Sequence, residues 1–353
     1  MPSIVAVRSR IRSIMEHSAG VARSPDVVIL GIDGIPHDLA SASWRHARTE
    51  RMQSVFPTTS ATGWLSSLSG ADVGVHGVLG VVFRIPEAGE QPIDIFTHRG
   101  ALGCPDVGNV FSDAAELGYA PLALLGDLAG YDCAWRDLLL RHSVLVSGPR
   151  FFTRADAEAG AGRQDPAALS HLVLEAVTAC LDAASRRRPR LVWCFVEADR
   201  HIHRRGYDEY VAEFLHGIDQ VGTALAERHA VVFAHSDHGL IQTRHDADIQ
   251  RLLMRIECEF CCAIGGAGRT RWLYPRPGTH AALLELLHRH LPSTVRIGSA
   301  DELFPAASHW RARVGDILLL AEGEHFVTSP GYTFDHGSLT PLEVDVPFSE
   351  WCL

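Results

Sequence analysis

Residue types that bind cations recur at three places where an apolar run ends. Asp33 follows VVILGI at 27–32. Glu197 and Asp199 follow LVWCFV at 191–196, with His203 four residues beyond Asp199. Asp237 and His238 follow VVFAHS at 231–236. Carboxylate oxygens and imidazole nitrogens together suit zinc or a similar borderline cation. Taken singly, each piece has an ordinary explanation. An aspartate after a strand caps a helix or closes a turn, and residues four apart on a helix share one face. Three such coincidences, all at strand ends and all with N or O donors, point to a metal site.

A second kind of chemistry lies between the first two groups, in Phe56-Pro57-Thr58-Thr59-Ser60-Ala61-Thr62-Gly63-Trp64. Proline and a hydroxyl cluster ahead of the apolar-periodic LSSLSGADVGVHGVLG read as a helix start. A cap needs only one hydroxyl. A hydroxyl at that position also sits where backbone N–H groups and the helix dipole favour a phosphate, and metal coordination activates such a weak nucleophile.

Elements able to bring these groups together are legible in the pattern. The three runs, with PLALLG at 121–126, are continuous rather than alternating, as buried parallel strands are. Helical patterns at 167–186 and 208–228 separate them, which predicts an α/β fold built on a doubly wound, mainly parallel sheet. Ligands of such sheets gather beyond the carboxyl ends of the strands. Residues 1–25 read as an N-terminal extension and 26–353 as the catalytic domain. Within it, about 241–330 breaks the rhythm and is expected to form a small inserted subdomain. That interval holds a helix near 280–290, a Pro/Gly-rich YPRPG patch and a strand pair in ILLLAEGEHFVT.

Bulk properties narrow the class. The chain has 353 residues, a net charge of −10 and 46% hydrophobic residues, the profile of a globular protein without the basic face that nucleic-acid binding needs. A phosphate-bearing substrate stays open, because bound cations add charge that the sequence count omits. No run approaches the roughly 18 apolar residues of a membrane span. The arginine-rich N-terminus lacks a signal-peptide core and reads as a short amphipathic surface helix, with a transit peptide as the alternative. Eight scattered cysteines form no disulfide framework, so a cytoplasmic protein is expected. Cys258, Cys261 and Cys262 lack the partner pair a zinc site requires and read as packing thiols.

Five pieces in this order resemble the type I phosphodiesterase/nucleotide pyrophosphatase family of the alkaline phosphatase superfamily. They are Asp33, PTTSATGWLSSLSG with His76-Gly77, Asp199-x-x-x-His203, Asp237-His238-Gly239 and His336-Gly337, and the resemblance runs from about 26 to 348. It implies an alkaline phosphatase-like fold and two divalent metal ions, usually zinc. Asp199, His203 and His336 would hold one ion; Asp33, Asp237 and His238 would hold the other, with the nucleophile. The nucleophile position falls on Ser60, with Thr59 as runner-up. The family commonly places an asparagine where this chain has Val81, so Arg84 or a backbone N–H would have to serve the phosphoryl oxygen. No sulfatase-type Cys/Ser-x-Pro-x-Arg motif occurs.

The expected activity is hydrolysis of a phosphodiester or pyrophosphate in a small, nucleotide-type phosphate ester, through a covalent phospho-serine or phospho-threonine. Alternatives on the same site are a phosphomonoesterase or a phosphonate or sulfate ester hydrolase. A non-catalytic binding protein that keeps the fold is the alternative from another class. Specificity is expected from loops around 84–115 and 133–165 and from 241–330. The sequence gives no indication of oligomeric state.

Overall fold

A computed structural model describes residues 1–18, 24–152, 165–182, 188–304 and 308–352. Its centre is a seven-stranded sheet in the spatial order Arg48–Gln53, Asp345–Trp351, Ala230–His235, Asp26–Ile32, Arg190–Val196, Ala120–Leu124, Val144–Val146. The five strands from Ala230–His235 to Val144–Val146 run parallel. The chain's last strand, Asp345–Trp351, lies antiparallel between Ala230–His235 and Arg48–Gln53.

The continuous apolar runs follow from this placement. Because side chains alternate across a strand, both faces must be apolar where both are covered. Val27, Ile29, Trp193 and Phe195 join one core with Trp64, Phe111 and the face of helix Ala6–Ser18. Val28, Leu30, Ile32, Val192 and Cys194 join the other, against helices Pro166–Asp182 and Glu209–Glu227. Each helix lies where its sequence pattern put it; positions 183–186 of the first fall outside the described residues.

A second, six-stranded sheet has the order Val295–Ser299, Ile317–Ala321, Thr270–Tyr274, Ala263–Ala267, Val82–Phe83, Ile93–Asp94. Four of its strands come from the interval after 241, and two from the segment following helix Ser60–Ser69. One expectation is corrected. The two strands within ILLLAEGEHFVT do not pair with each other: Ile317–Ala321 enters this sheet, whereas His325–Phe326 runs parallel to Arg244–His245. The intervening Glu322-Gly323-Glu324 therefore connects two different pairings rather than closing a hairpin.

The N-terminal helix is amphipathic, and its apolar face is fully covered. Val7, Ile11 and Met15, spaced four apart, are buried, and Ile4 ahead of them joins the same core. On the adjoining side the Arg8 guanidinium forks onto the buried Asp113 carboxylate through two 2.8 Å hydrogen bonds. Ile11→Ala should therefore lower unfolding stability by about 2–4 kcal/mol, the cost of a cavity in a packed core. The check is a shift of the urea midpoint at unchanged slope; a change below about 0.5 kcal/mol would mean that the helix is dispensable to the core.

Candidate metal centre and catalytic cleft

Strand register sets the level at which the acidic groups leave the sheet. Ile32 pairs with Val196, and Gly31 with His235. Asp33 and Glu197 thus emerge side by side, with Asp237 close by on the neighbouring strand. Ser236 ties two of these turns together: its hydroxyl accepts from the Ile35 N–H at 2.9 Å and donates to the His238 carbonyl at 2.8 Å. Asp199 opens helix Asp199–Arg205, so His203 stands one turn further on the same face, its Nε2 3.6 Å from Asp199 Oδ2.

His336 reaches the site because Phe334–Asp335 pairs antiparallel with Ile241–Gln242, just past the Asp237-His238-Gly239 turn. Its ring stacks on His238 with centroids 3.7 Å apart, and the His203 ring lies 5.1 Å away. Two of these imidazoles have a fixed tautomer. His203 Nδ1 lies 2.8 Å from the Phe334 carbonyl and His336 Nδ1 2.8 Å from the Thr58 carbonyl. A carbonyl only accepts, so each Nδ1 carries the proton and each Nε2 keeps its lone pair for the site.

All six expected protein ligands fall into groups whose donor atoms lie within 4.8 Å of one another. The groups are Asp33, Asp237 and His238; Asp199, His238 and His336; and His203, Asp335 and His336. Asp199 is thus grouped with His238 and His336, while Asp335 joins His203 and His336. Asp335 was not singled out from sequence; only its adjacency to His336-Gly337 hinted at it. The donor set fits divalent cations on a direct observation: buried Asp199 Oδ1 and Asp237 Oδ2 have no hydrogen-bond donor, an arrangement proteins avoid unless something else satisfies them. Cys258 and Cys261 are exposed, and no cysteine enters a ligand group among the described residues.

Electrostatics follow from burial. Desolvation, then the charges of Asp199 and Asp237, push Asp33 well above the usual carboxylate range. Burial pushes Asp237 up to about 8. It holds His336 down to about 4 and His238 well below the ordinary imidazole value, helped by the neighbouring imidazoles. For His203 desolvation is outweighed by its hydrogen bond to Asp199 and that carboxylate's charge, so it is raised. Glu197 turns away to accept from the Tyr131 hydroxyl and is pushed up to about 7 by burial and by Asp199.

The hydroxyl segment separates its two candidates. Thr59 is the N-cap residue of helix Ser60–Ser69, but its buried Oγ1 faces Thr62 Oγ1 at 3.1 Å instead of capping the backbone. Ser60 Oγ, the first helical side chain, lies 3.1 Å from Asp33 Oδ2 and 3.3 Å from His238 Nε2. Thr59 and Ser60 both line a cleft of about 280 Å³ with Phe96, Tyr131, Trp135, Phe195 and Val81, but Thr59 is fully buried and Ser60 is partly exposed. Arg84, considered as a phosphoryl-oxygen donor, is not among the cleft residues. Its guanidinium stacks over the Tyr274 ring at 4.1 Å, because the Val82–Phe83 strand carries it into the second sheet. Among the described residues, the arginines that line the cleft are Arg200 and Arg271.

The sequence pattern described as Type I phosphodiesterase / nucleotide pyrophosphatase matches residues 27–339. The chain belongs to this family. No curated protein matches it by sequence. Among solved structures, murine ectonucleotide pyrophosphatase/phosphodiesterase 5 is 15% identical, with a TM-score of 0.64, over 92% of this chain and 87% of that one. An inactive form of the same murine protein is in complex with AMP. Phosphonoacetate hydrolase from Sinorhizobium meliloti 1021, in complex with phosphonoacetate, is 18% identical, with a TM-score of 0.67, over 93% of this chain and 90% of that one. These similarities place the chain in the alkaline phosphatase-like fold. Its family marks it as a phosphoester hydrolase.

The buried site predicts how stability of the metal-free protein depends on pH. Asp237 and Asp33 have folded values above the unfolded one, so the native state binds extra protons and stability rises as pH falls from 8. His336 and His238 have depressed values, so below about 6.5 the unfolded histidines take up the protons that offset this gain. Thermal melts of chelator-treated protein should rise as pH falls from 8.5 to about 6.5 and level off below it, and added zinc should abolish the decline toward pH 8. A midpoint that rises steadily between pH 6.5 and 8.5 without metal would contradict these assignments.

Proposed function

We propose that this chain is a metal-dependent hydrolase of phosphodiester or pyrophosphate linkages in a small, nucleotide-type phosphate ester, with Ser60 as nucleophile. The observation that carries the reading is the position of Ser60 Oγ, 3.1 Å from Asp33 Oδ2 and 3.3 Å from His238 Nε2, at a helix start facing the cleft. Asp33, Asp237 and His238, with Ser60, would hold one cation. His203 and His336, with Asp199 and Asp335, would hold the second. Zinc suits the donor set and would supply Lewis acidity, easing deprotonation of the serine and neutralising phosphoryl charge.

The remaining steps belong to the chain's own residues. Asp33 and His238 orient the hydroxyl, and the helix N-terminus behind it favours the approaching phosphoryl group. Ser60 Oγ bonds to phosphorus as the bond to the leaving oxygen breaks, giving a phosphoseryl intermediate. Water then attacks phosphorus from the side the leaving group vacated, and the Ser60–phosphorus bond breaks. Phe96, Tyr131, Trp135 and Phe195 form an apolar wall that suits a planar organic substituent and limits water. The eight cysteines, all unpaired, accord with a reducing, cytoplasmic setting.

A second reading, a monoesterase or phosphonate hydrolase on the same site, is favoured by one observation. Val81 lines the cleft where a side-chain donor is expected, and valine donates nothing. Losing one such donor costs about 3–4 kcal/mol of transition-state stabilisation, enough to change which ester is preferred. Comparison of kcat/KM for bis-p-nitrophenyl phosphate, a nucleotide p-nitrophenyl ester and p-nitrophenyl phosphate at equal zinc loading decides between them. The diesters should be preferred; a clear preference for the monoester would retain the site and replace the reaction.

Ser60→Ala should lower kcat by about a thousandfold or more with an unchanged melting temperature. Thr59→Ala should be milder. Full loss in Thr59→Ala with activity kept in Ser60→Ala would move the nucleophile by one residue. Elemental analysis is expected to find about two divalent ions per chain, and protein with no bound metal and no response to zinc would overturn the mechanism.

A further inference from the structure

One cleft arginine has no role in the chemistry above. Arg271 lies at the start of strand Thr270–Tyr274, and its placement is rigid because that start is locked onto the segment carrying His336. The Arg269 N–H donates to the His336 carbonyl at 2.6 Å, and the Thr270 hydroxyl to the Gly337 carbonyl at 2.6 Å. Arg271 uses Nη1 to donate to the carbonyls of Gly268 and Thr270. Its Nε and Nη2 have no protein partner, and no carboxylate lies within ion-pair distance among the described residues. Arg200, by contrast, has Glu197 at 3.8 Å. Arg271 is therefore a positive fork, held by backbone carbonyls over the Phe326 ring at 5.8 Å, with the Asp335 charge acting on it but not paired with it, in the cleft that holds Ser60 and His336.

Its second property is position. Arg271, Val81 and Gly268 line the catalytic cleft and also an adjoining groove of about 360 Å³. That groove is also lined by Gly265, Gly266, Leu253 and Met254. A substrate arm leaving the reacting phosphorus toward the groove must pass the guanidinium. Two parallel N–H donors with a full charge suit a carboxylate or phosphate rather than a neutral ester. We propose that Arg271 is a specificity residue that binds a second anionic group on the substrate, carried on the arm that enters this groove. The preferred class is then a phosphate or phosphonate whose other arm bears an anion a few bonds from the reacting phosphorus, as in a pyrophosphate or a carboxylated phosphonate.

The proposal rests on the hydrolase reading of the same site, and the test separates the two. In zinc-loaded protein, kcat/KM is measured for di(adenosine-5′) diphosphate, phosphonoacetate and neutral-armed bis-p-nitrophenyl phosphate, in wild type, Arg271→Gln and Arg271→Lys. Arg271→Gln should lose roughly tenfold or more beyond its loss on the neutral-armed ester for at least one anion-armed substrate, and Arg271→Lys should recover part of it. Which substrate shows the differential loss tells phosphate from carboxylate. Equal losses on all three overturn the proposal. Should the glutamine variant not fold, calorimetry on Ser60→Ala protein compares phosphonoacetate with its carboxyl methyl ester. Tighter binding of the free carboxylate supports the proposal for carboxylated arms, and equal binding overturns it for them. The same comparison of methylenebisphosphonate with its P,P-dimethyl ester, whose second phosphorus carries no charge, decides the phosphate arm. A binding preference without any ester cleavage would leave the anion site standing and remove the hydrolase reading; cleavage without a preference removes only the anion site.

Discussion

Everything at the carboxyl edge of the large sheet is arranged around like charges brought together out of water. Asp33, Asp199 and Asp237 are buried, with His238 and His336 held neutral beside them. Two such charges about 4 Å apart repel by about 4 kcal/mol at a protein-like effective dielectric, and neutral imidazoles do nothing to offset it. In the metal-free protein protonation relieves this repulsion; burial, and then the repulsion, raise Asp33 and Asp237, and a bound cation would relieve it with the carboxylates ionised. The apolar sandwich on both faces of Asp26–Ile32 and Arg190–Val196 gives the chain enough stability to hold the cluster in place.

That arrangement divides labour between two kinds of backbone. Strand ends deliver the carboxylates, because parallel strands in register finish at one level. Irregular backbone fixes the histidines, through the carbonyls of Phe334 and Thr58. The Thr58 contact also links the candidate metal centre to the hydroxyl helix. The carbonyl that orients His336 sits two residues before Ser60, so the proposed nucleophile and the candidate ligand are registered to each other through main chain.

Much of this was legible in the sequence, for reasons that are local. Four runs of β-branched and apolar residues read as strands; three of them are covered on both faces, and the residues just beyond those three inherit positions at the sheet edge. Ser60 and Thr59 could be narrowed to a helix start but not separated, since the distinction lies in which side chain turns inward. Asp335 was missed because its place depends on pairing with Ile241–Gln242, a long-range contact with no local pattern. Arg84 was considered because it is near Val81 in sequence, and Arg271 was not singled out; the register of the second sheet decides which arginine reaches the cleft. The two strands within ILLLAEGEHFVT are real, but their partners lie elsewhere, and short apolar strands carry no record of whom they pair with.

The contact between the second sheet and His336 is main chain against main chain. A Cβ on Gly268 would fall 1.9 Å from the His336 carbonyl oxygen, and one on Gly337 2.0 Å from the Ala267 carbonyl oxygen. Both residues also adopt positive φ, so alanine is strained there as well as crowded. Apart from the Thr270 hydroxyl bond to the Gly337 carbonyl, the interlock is backbone, so strand side chains elsewhere can change without moving the histidine. At Gly268 and Gly337 a single methyl group would part the sheet from the site. Divergence at the cleft can therefore accumulate on the second sheet while the candidate metal site stays as it was.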